Sequence, residues 1–277
     1  MGETVATHDI FAAVAREAGD RLLAIQKKPE VIARQASGDL TLVADRQSQE
    51  LIRARLETAL PGLAIVVEED GQPQELPATF LTVDPLDGTL PYALGCPDWG
   101  VNLGYVENGR PVSGTIYLPA TQQLLQVSAA RGCTLNGKPI TPQQAPPDAR
   151  FVLGLDLHYA TDPEFIRAVL VPLIPKLRLT RSLGSTTALT VDFALGRTDA
   201  HLNLRGGGVW DIVTLGAVVA ARGGTIVDLA GQPRNWRDRT TALVASCYPW
   251  ITEEILQLTR AFAGDLKSDS EPGPAQR

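Results

Sequence analysis

An apolar run at 80–83 leads without a break into Asp84-Pro85-Leu86-Asp87-Gly88-Thr89. That join constrains the fold more than any other feature, because a buried strand must end on a segment carrying two carboxylates. Pro85 has a fixed φ and biases Asp84 toward extended geometry. The chain is therefore expected to leave the strand at Asp84 and turn at once. Both carboxylates would then converge on one point, with the Leu86 carbonyl as a third oxygen. Gly88 permits close backbone approach, and a short helix starting near Thr89 would aim N–H groups at the same point. Hard divalent cations take oxygen ligands, and phosphate takes backbone N–H groups. One segment can supply both, which points to metal-assisted phosphoester chemistry. The plain alternatives are an ordinary Asp-Gly turn and a simple Thr89 helix cap.

Hydrophobic periodicity places this segment in a mixed chain. Ile10, Val14, Ala18, Leu22 and Ile25 recur at helical spacing, with Asp9 as the expected cap and Lys28-Pro29 as the stop. A second helix is expected over 45–60, ending at Pro61-Gly62. Strands are expected at 63–67, 80–83, 99–106, 111–118 and 124–127, then a hairpin around Asn136-Gly137. The run 141–147 (TPQQAPP) breaks the pattern and reads as a linker. Beyond it strands (151–156, 177–180, 199–203, 225–227, 242–245) alternate with helices (162–171, 184–195, 210–222, 251–263). The expected organisation is an N-terminal α+β domain over 1–146, carrying the main acidic motif. A C-terminal α/β domain over 147–277 completes the site. The polar tail from about 266 is expected to be disordered.

Composition narrows the partners. A net charge of −6 gives no electrostatic reason to expect nucleic acid or an anionic membrane. A negative chain that handles phosphate needs local positive charge, and metal ions would supply it. Cys96, Cys133 and Cys247 stand far apart and form no CxxC pair, so a cytoplasmic protein without disulfides is expected. No apolar run approaches the ~18 residues of a membrane span, and the N-terminus lacks a signal-peptide pattern. His8, His158 and His201 are too scattered for a His-rich metal site and read as surface or packing residues.

Other acids fall at element ends. Glu68-Glu69-Asp70 follows the 63–67 strand, a usual place for a solvated loop but also for a further metal ligand. Trp210-Asp211 opens a helix, and Asp211 reads as its N-cap. A covalent aspartyl-phosphate enzyme of the haloacid-dehalogenase kind is the weaker reading. There the two aspartates stand two apart near the chain start, and here they stand three apart at 84 and 87.

Taken together, Glu68-Glu69, the 84–89 run, Trp210-Asp211 with Gly223-Gly224, the 181–188 run (RSLGSTTA) and the 196–200 run (GRTDA) resemble the inositol-monophosphatase family of Mg2+-dependent, lithium-sensitive phosphatases. The resemblance spans about 9–246. It implies a layered αβαβα sandwich of the sugar-phosphatase type, mixing α/β and α+β character. It implies that Glu68, Asp84 and the Leu86 carbonyl hold one Mg2+, and that Asp84, Asp87 and Asp211 hold a second. Asp45 and Thr89 match the pair that readies a water for attack, so Asp45, Glu68, Asp87 and Thr89 are the catalytic set. Gly88, Thr89, Gly184, Ser185 and Asp211 would contact substrate. Two cations about 4 Å apart lower the pKa of water and screen developing phosphoryl charge, so no protein nucleophile is needed. The family resemblance also implies two or three Mg2+ ions, substitution by Mn2+, inhibition by Li+ or Ca2+, a homodimer, and a small phosphorylated metabolite as substrate.

The chain departs from the family pattern at named positions. Leu42 stands where Thr is usual, with Thr41 one place off, and Val67 replaces a common glycine. Leu90-Pro91-Tyr92 replaces a Thr-Asn-Phe-like run. Leu204, seven before Asp211, stands where inositol-specific members have a glutamate that accepts bonds from substrate hydroxyls. The 205–208 loop (RGGG) either presents a cation to a second anionic group or is a flexible turn. The expected activity is therefore hydrolysis of an inositol-phosphate-like or sugar phosphate. A 3′(2′),5′-bisphosphate nucleotidase and a non-catalytic binding protein on the same fold are the alternatives.

Overall fold

The structure is a computed structural model and describes residues 5–27, 29–34, 40–70, 75–128, 131–141, 149–156, 163–204, 208–238 and 242–260. The expected linker beyond Thr141, the tail, Lys28, His158 and residues 205–207 lie outside the described residues.

Helix α1 (Val5–Ile25) buries Phe11, Val14, Ala15, Ala18 and Leu22. It begins four residues before Asp9, which is exposed inside the helix and caps nothing. Periodicity locates a buried face and says little about the first turn. An antiparallel hairpin that the sequence did not announce follows, β1 (Val31–Arg34) with β2 (Leu40–Leu42). Then comes α2 (Val43–Ala59). Strand β3 (Ile65–Val67) pairs in parallel with β4 (Phe80–Asp87), and the five-residue helix α3 (Thr89–Ala93) follows. An antiparallel meander completes a seven-stranded sheet in chain order: β5 (Gly100–Glu107), β6 (Arg110–Leu118), β7 (Gln123–Ser128), β8 (Gly132–Leu135) and β9 (Lys138–Pro139). Asn136 and Gly137, both at positive φ, turn β8 into β9, as a two-residue hairpin of primed type requires.

A second sheet of five strands holds β10 (Phe151–Asp156), β11 (Leu177–Arg181), β12 (Ala200–Asn203), β13 (Thr225–Val227) and β14 (Leu243–Ser246). Their order is β11-β10-β12-β14-β13, with β10 parallel to both β11 and β12. Between β10 and β11, α4 (Pro163–Phe165) continues through a π-helical turn, Ile166–Leu170, into α5 (Val171–Leu173). The remaining helices are α6 (Thr186–Ala194), α7 (Val209–Ala221) and α8 (Pro249–Thr259).

Three apolar clusters define the layers. Helices α1 and α2 pack with Leu81, Val83, Leu103, Tyr105 and Tyr117 on one face of the large sheet. Phe80, Val106, Ile116, Leu118 and Val127 on its other face meet α6, α7 and the inner residues Leu243 and Ala245 of the small sheet. Phe151, Leu153, Leu202 and Val244 on the outer face of the small sheet meet Phe165, Val169, Leu173 and α8. The result is an αβαβα layered α/β sandwich. Every residue of α7 from 209 to 219 is buried, as expected of a helix apolar all round and enclosed between two sheets. The strands of the large sheet all precede residue 142 and those of the small sheet all follow 148. Even so, the middle helices, which come from the later half, pack against the large sheet.

The fit of α7 on the large sheet is set by glycine. A Cβ on Gly104 would lie 2.6 Å from Val213 Cγ1 and 2.7 Å from Val213 Cβ. Gly104→Ala should therefore destabilise the fold by about 1–3 kcal/mol through overpacking. A chemical-denaturation midpoint unchanged from the parent would contradict this packing.

Candidate active site

Strand β4 does not turn at Asp84, as Pro85 suggested, but runs on to Asp87. Asp84 pairs with Asn102 and Asp87 with Gly100, so three steps on β4 face two on β5. In a regular strand, side chains three apart point to opposite faces. The extra residue is a bulge, and it brings Asp87 back to the face that Asp84 occupies. Leu86 reports the same shift. Phe80 packs toward α7, but Leu86, also even-numbered, joins Leu81 and Val83 beneath α1 and α2.

Two further acids arrive from other elements. Parallel pairing of Val67 with Val83 brings Glu68, one residue beyond, alongside Asp84. Glu68 opens a 3-10 turn, Glu68–Asp70, tied to α2 by Gln49 and Arg53 on the Asp70 carboxylate. Asp211 arrives on α7. It is not the N-cap that the sequence suggested. Gly208 holds that place, and Asp211, in the first turn of the helix, reaches back to accept the Gly208 N–H at 2.6 Å. Carboxylate oxygens of Asp84, Asp87 and Asp211 all lie within 4.8 Å of one another.

The surrounding donors hold these acids in place. Asp84 Oδ1 accepts the Leu86 N–H at 3.1 Å. Asp87 Oδ2 accepts the Thr187 N–H at 2.7 Å and the Ser185 hydroxyl. Ser185 also caps α6 by accepting the Ala188 N–H at 3.0 Å. Gly184 precedes it at φ +68, packed beside Pro91. Gly88 sits at φ +81, and a Cβ there would lie 2.8 Å from the Asp98 carbonyl oxygen, so only glycine fits. On the other side of the motif, Thr89 Oγ1 stands 3.2 Å from the Leu86 carbonyl oxygen and 3.4 Å from Asp45 Oδ1. Asp45 Oδ2 accepts the Leu42 N–H at 2.6 Å. A backbone N–H makes that bond, so it does not depend on the side chain at 42, and the Leu42 side chain is buried in the core.

Asn102 is a residue that sequence reasoning passed over. It is fully buried and both ends of its amide are used. Nδ2 donates to the Trp210 carbonyl at 3.0 Å and the Asp211 carbonyl at 3.4 Å, and Oδ1 accepts the Thr214 hydroxyl at 2.6 Å. Asn102 thus links the strand partner of Asp84 to the first turn that carries Asp211. Its one sequence signal is a lone amide inside an apolar strand.

Leu204 needs correcting. Alternation along β12 turns Leu202 and Leu204 into the outer apolar cluster. His201 and Asn203 occupy the opposite, inner face, so Leu204 does not face the acids at all. His8 and His201 are both buried, in keeping with packing roles.

Burial dominates the electrostatics. It pushes the Glu68 carboxyl up to about 8, with the charges of Glu69, Asp87 and Asp45 adding to the effect. Burial likewise takes Asp45 to about 7 and Asp87 to about 6, the latter against the hydrogen bonds of Ser185 and Thr187. Asp84 and Asp211 are held well above the usual carboxylate range by burial, and then by the charge of Glu68 and of other nearby acids. Carboxylates gathered this closely cannot all stay charged unaided. A divalent cation is the natural counter-charge for them. The donors are all oxygen: the carboxylates and the Leu86 carbonyl. That set fits a hard cation such as Mg2+ and lacks the thiolate or imidazole that other metals favour.

Comparison with known proteins supplies the class, a phosphoric monoester hydrolase. Residues 3–262 match the model of the inositol monophosphatase family. An inositol-1-monophosphatase from Synechocystis is 31% identical over 269 residues, covering 93% of this chain and 88% of that protein. A solved IMPase from Thermotoga maritima superimposes with a TM-score of 0.80 at 22% identity, covering 93% and 98% of the two chains. A solved IMPase/NADP phosphatase complexed with Mg2+ and phosphate has a TM-score of 0.76 at 17% identity, covering 87% and 90%. The chain belongs to the inositol monophosphatase family.

Two outcomes follow from this geometry. The raised carboxyl values mean that the metal-free fold is favoured when these acids are protonated. Their contribution is complete below about pH 4, the unfolded carboxylate range, and is lost as pH rises through the folded values of about 6 to 8. In EDTA the melting temperature should fall from pH 5.5 to pH 8.5, in that ~3-unit window, and Mg2+ should restore more at the higher pH. A flat apo profile would contradict the enclosed acid cluster. Second, Asn102→Ala should weaken Mg2+ binding about 10- to 100-fold, as loss of a partner behind a ligand does, read by calorimetry.

Proposed function

We propose that the chain is a Mg2+-dependent phosphomonoesterase acting on a small phosphorylated metabolite, with water as the attacking group. The observation that carries this reading is the convergence of Asp84, Asp87 and Asp211, within 4.8 Å of one another, in an enclosed site whose donors are all oxygen. Glu68, Asp84 and the Leu86 carbonyl would hold one cation, and Asp84, Asp87 and Asp211 a second. Bound there, divalent cations supply Lewis-acid polarisation of phosphoryl oxygens and make water more acidic. Mn2+ would serve as a substitute, and Li+ or Ca2+ would inhibit.

The side chains divide the remaining work. Asp45 and Thr89 form a proton path in which Thr89 Oγ1, facing Asp45, hands its proton on as it takes one from the attacking water. Gly88 and Thr89 at the start of α3 would meet phosphate oxygens. Ser185, which helps fix Asp87, and Gly184 before it would border the substrate. Asp87 is already held by Ser185 and the Thr187 N–H, which suits a ligand better than a nucleophile.

The wider setting is part of the same proposal. Residues 1–146 and 147–277 act as two domains that close on the site. Cys96, Cys133 and Cys247 are all free thiols, which supports a cytoplasmic location. No helix among the described residues is long and apolar enough to cross a membrane. A homodimer is supported by apolar side chains left exposed on the outer layer, with Val171 at 52%, Ile174 at 63% and Leu179 at 54%.

The test is phosphate release from a panel of esters with Mg2+ or EDTA. Activity should require Mg2+. Asp87→Asn should lower kcat by about three orders of magnitude, the scale of losing one preorganised electrostatic group, with an unchanged circular-dichroism spectrum. Near-parental turnover in that variant would overturn the assignment.

A further inference from the structure

Helix α6 carries a buried charge that none of these roles uses. Asp192 lies in its last turn, buried among apolar residues. Two effects make that a poor place for an acid. Burial strips the carboxylate of water, and the negative end of the helix opposes its charge. Two arginines offset both. Arg181, at the end of β11, donates from Nε to Asp192 Oδ2 at 2.6 Å. Arg197, in the turn before β12, donates from Nη1 to Oδ1 at 2.9 Å, and its N–H bonds the Asp192 carbonyl at 2.8 Å. The Asp192 side chain is 4% exposed, whereas those of Arg181 and Arg197 are 34% and 50% exposed. The acid is sealed and its partners reach in from the surface.

Every residue of α6 from Thr187 to Ala194 is buried. A helix enclosed on all sides has no solvent face to set its rotation, and apolar contact has no direction. Charge-assisted bonds between fixed nitrogen and oxygen atoms do have one. Rotation matters at the opposite end of this helix, which holds the acid cluster. There the Ser185 hydroxyl and the Thr187 N–H bond Asp87, and Thr186 Oγ1 between them bonds Asp156 of β10 at 3.0 Å. A turn of α6 about its axis would carry the Thr187 N–H off Asp87. Arg181 also bears on the other flank of the motif. Burial raises the Asp98 carboxyl and Arg181 draws it back down, while the Asp98 carbonyl closes the space above Gly88. Over an apolar residue of similar size, a buried ion pair adds little stability.

We infer that Asp192 is a positioning residue for Asp87. Clamped by Arg181 and Arg197, it fixes the rotation of α6 and so keeps the Thr187 N–H and the Ser185 hydroxyl on the Asp87 carboxylate. It acts from the far end of the helix, through the helix itself. The consequence for Mg2+ rests on the reading of Asp87 as a metal ligand given above.

The experiment compares the parent with Asp192→Leu and Arg181→Met. Asp192→Leu removes the charge without stranding another, because both arginines reach solvent, and leucine fills the space. Its denaturation midpoint should stay near that of the parent. Amide hydrogen exchange in EDTA reads the start of α6 directly. The Thr187 N–H should exchange about tenfold faster in the variant, while amides of α7 such as Leu215 keep the parental rate. Mg2+ affinity by calorimetry should fall about tenfold, as when a partner behind a metal ligand is lost. A role in stability alone would move the midpoint and all these amides together, and would leave the Mg2+ affinity of the folded protein unchanged. Arg181→Met leaves Asp192 with Arg197 and should move both readouts the same way by a smaller factor. It decides the matter if Asp192→Leu does not fold. Unchanged Thr187 exchange in a folded variant, or faster exchange with parental Mg2+ affinity, would overturn the positioning role. A parent that binds no Mg2+ would instead overturn the metal-ligand reading, and Thr187 exchange alone would then decide whether Asp192 sets the start of α6.

Discussion

Gathering carboxylates out of water is the constraint on which the rest of this structure depends. Like charges at such spacing cannot all ionise unaided, and burial adds to the cost. The chain meets this with backbone donors. Leu42 donates to Asp45, Leu86 to Asp84, Thr187 to Asp87 and Gly208 to Asp211. Asp45 and Asp211 use the same device, each sitting in the first turn of its helix and bonding the N–H of the capping position. The positive end of each helix further favours the charge. Helices α2, α6 and α7 therefore begin where they do because each start holds an acid.

The apolar framework keeps those starts in register. Helix α7 lies between two sheets and is buried along most of its length, so Asp211 is carried by a rigid element. Close contact at Gly104 and the buried amide of Asn102 fix how that helix meets β5, the strand that also pairs with Asp84. The distance between Asp84 and Asp211 is thus set by core packing as much as by the acids. On the strand itself, one extra residue in β4 turns Asp87 to the side of Asp84. A single backbone irregularity makes the site possible.

Much of this was legible in the residues. The strand and helix periods located nearly every element, because apolar faces must meet a core. The Asn136-Gly137 turn could be read because few residues tolerate positive φ. The misreadings have local causes. Asp9 looked like a cap because a cap and an exposed helical aspartate are the same residue in a sequence. Pro85 suggested a turn, but the strand absorbs it at a bulge. Leu204 was matched to a substrate-binding glutamate of the family by its distance from Asp211, and a residue count cannot tell which face of a strand a residue takes. Asn102 and Asp156 went unseen because a lone polar residue in an apolar strand has no partner until the chain folds.

By itself, the sequence determined the layered α/β class, the acidic motif and its distant companions Glu68 and Asp211, and with them the membership of a phosphatase family. Those follow from local pattern and residue type, which survive any rearrangement of the rest. Only the tertiary structure decided that Asp84 and Asp87 share a face, that Asn102 ties β5 to α7, and that Thr186, between the two residues that hold Asp87, bonds Asp156 on β10. These depend on strand register and on which helix packs on which sheet. Both are set by contacts between residues far apart in the chain, and no local pattern encodes them.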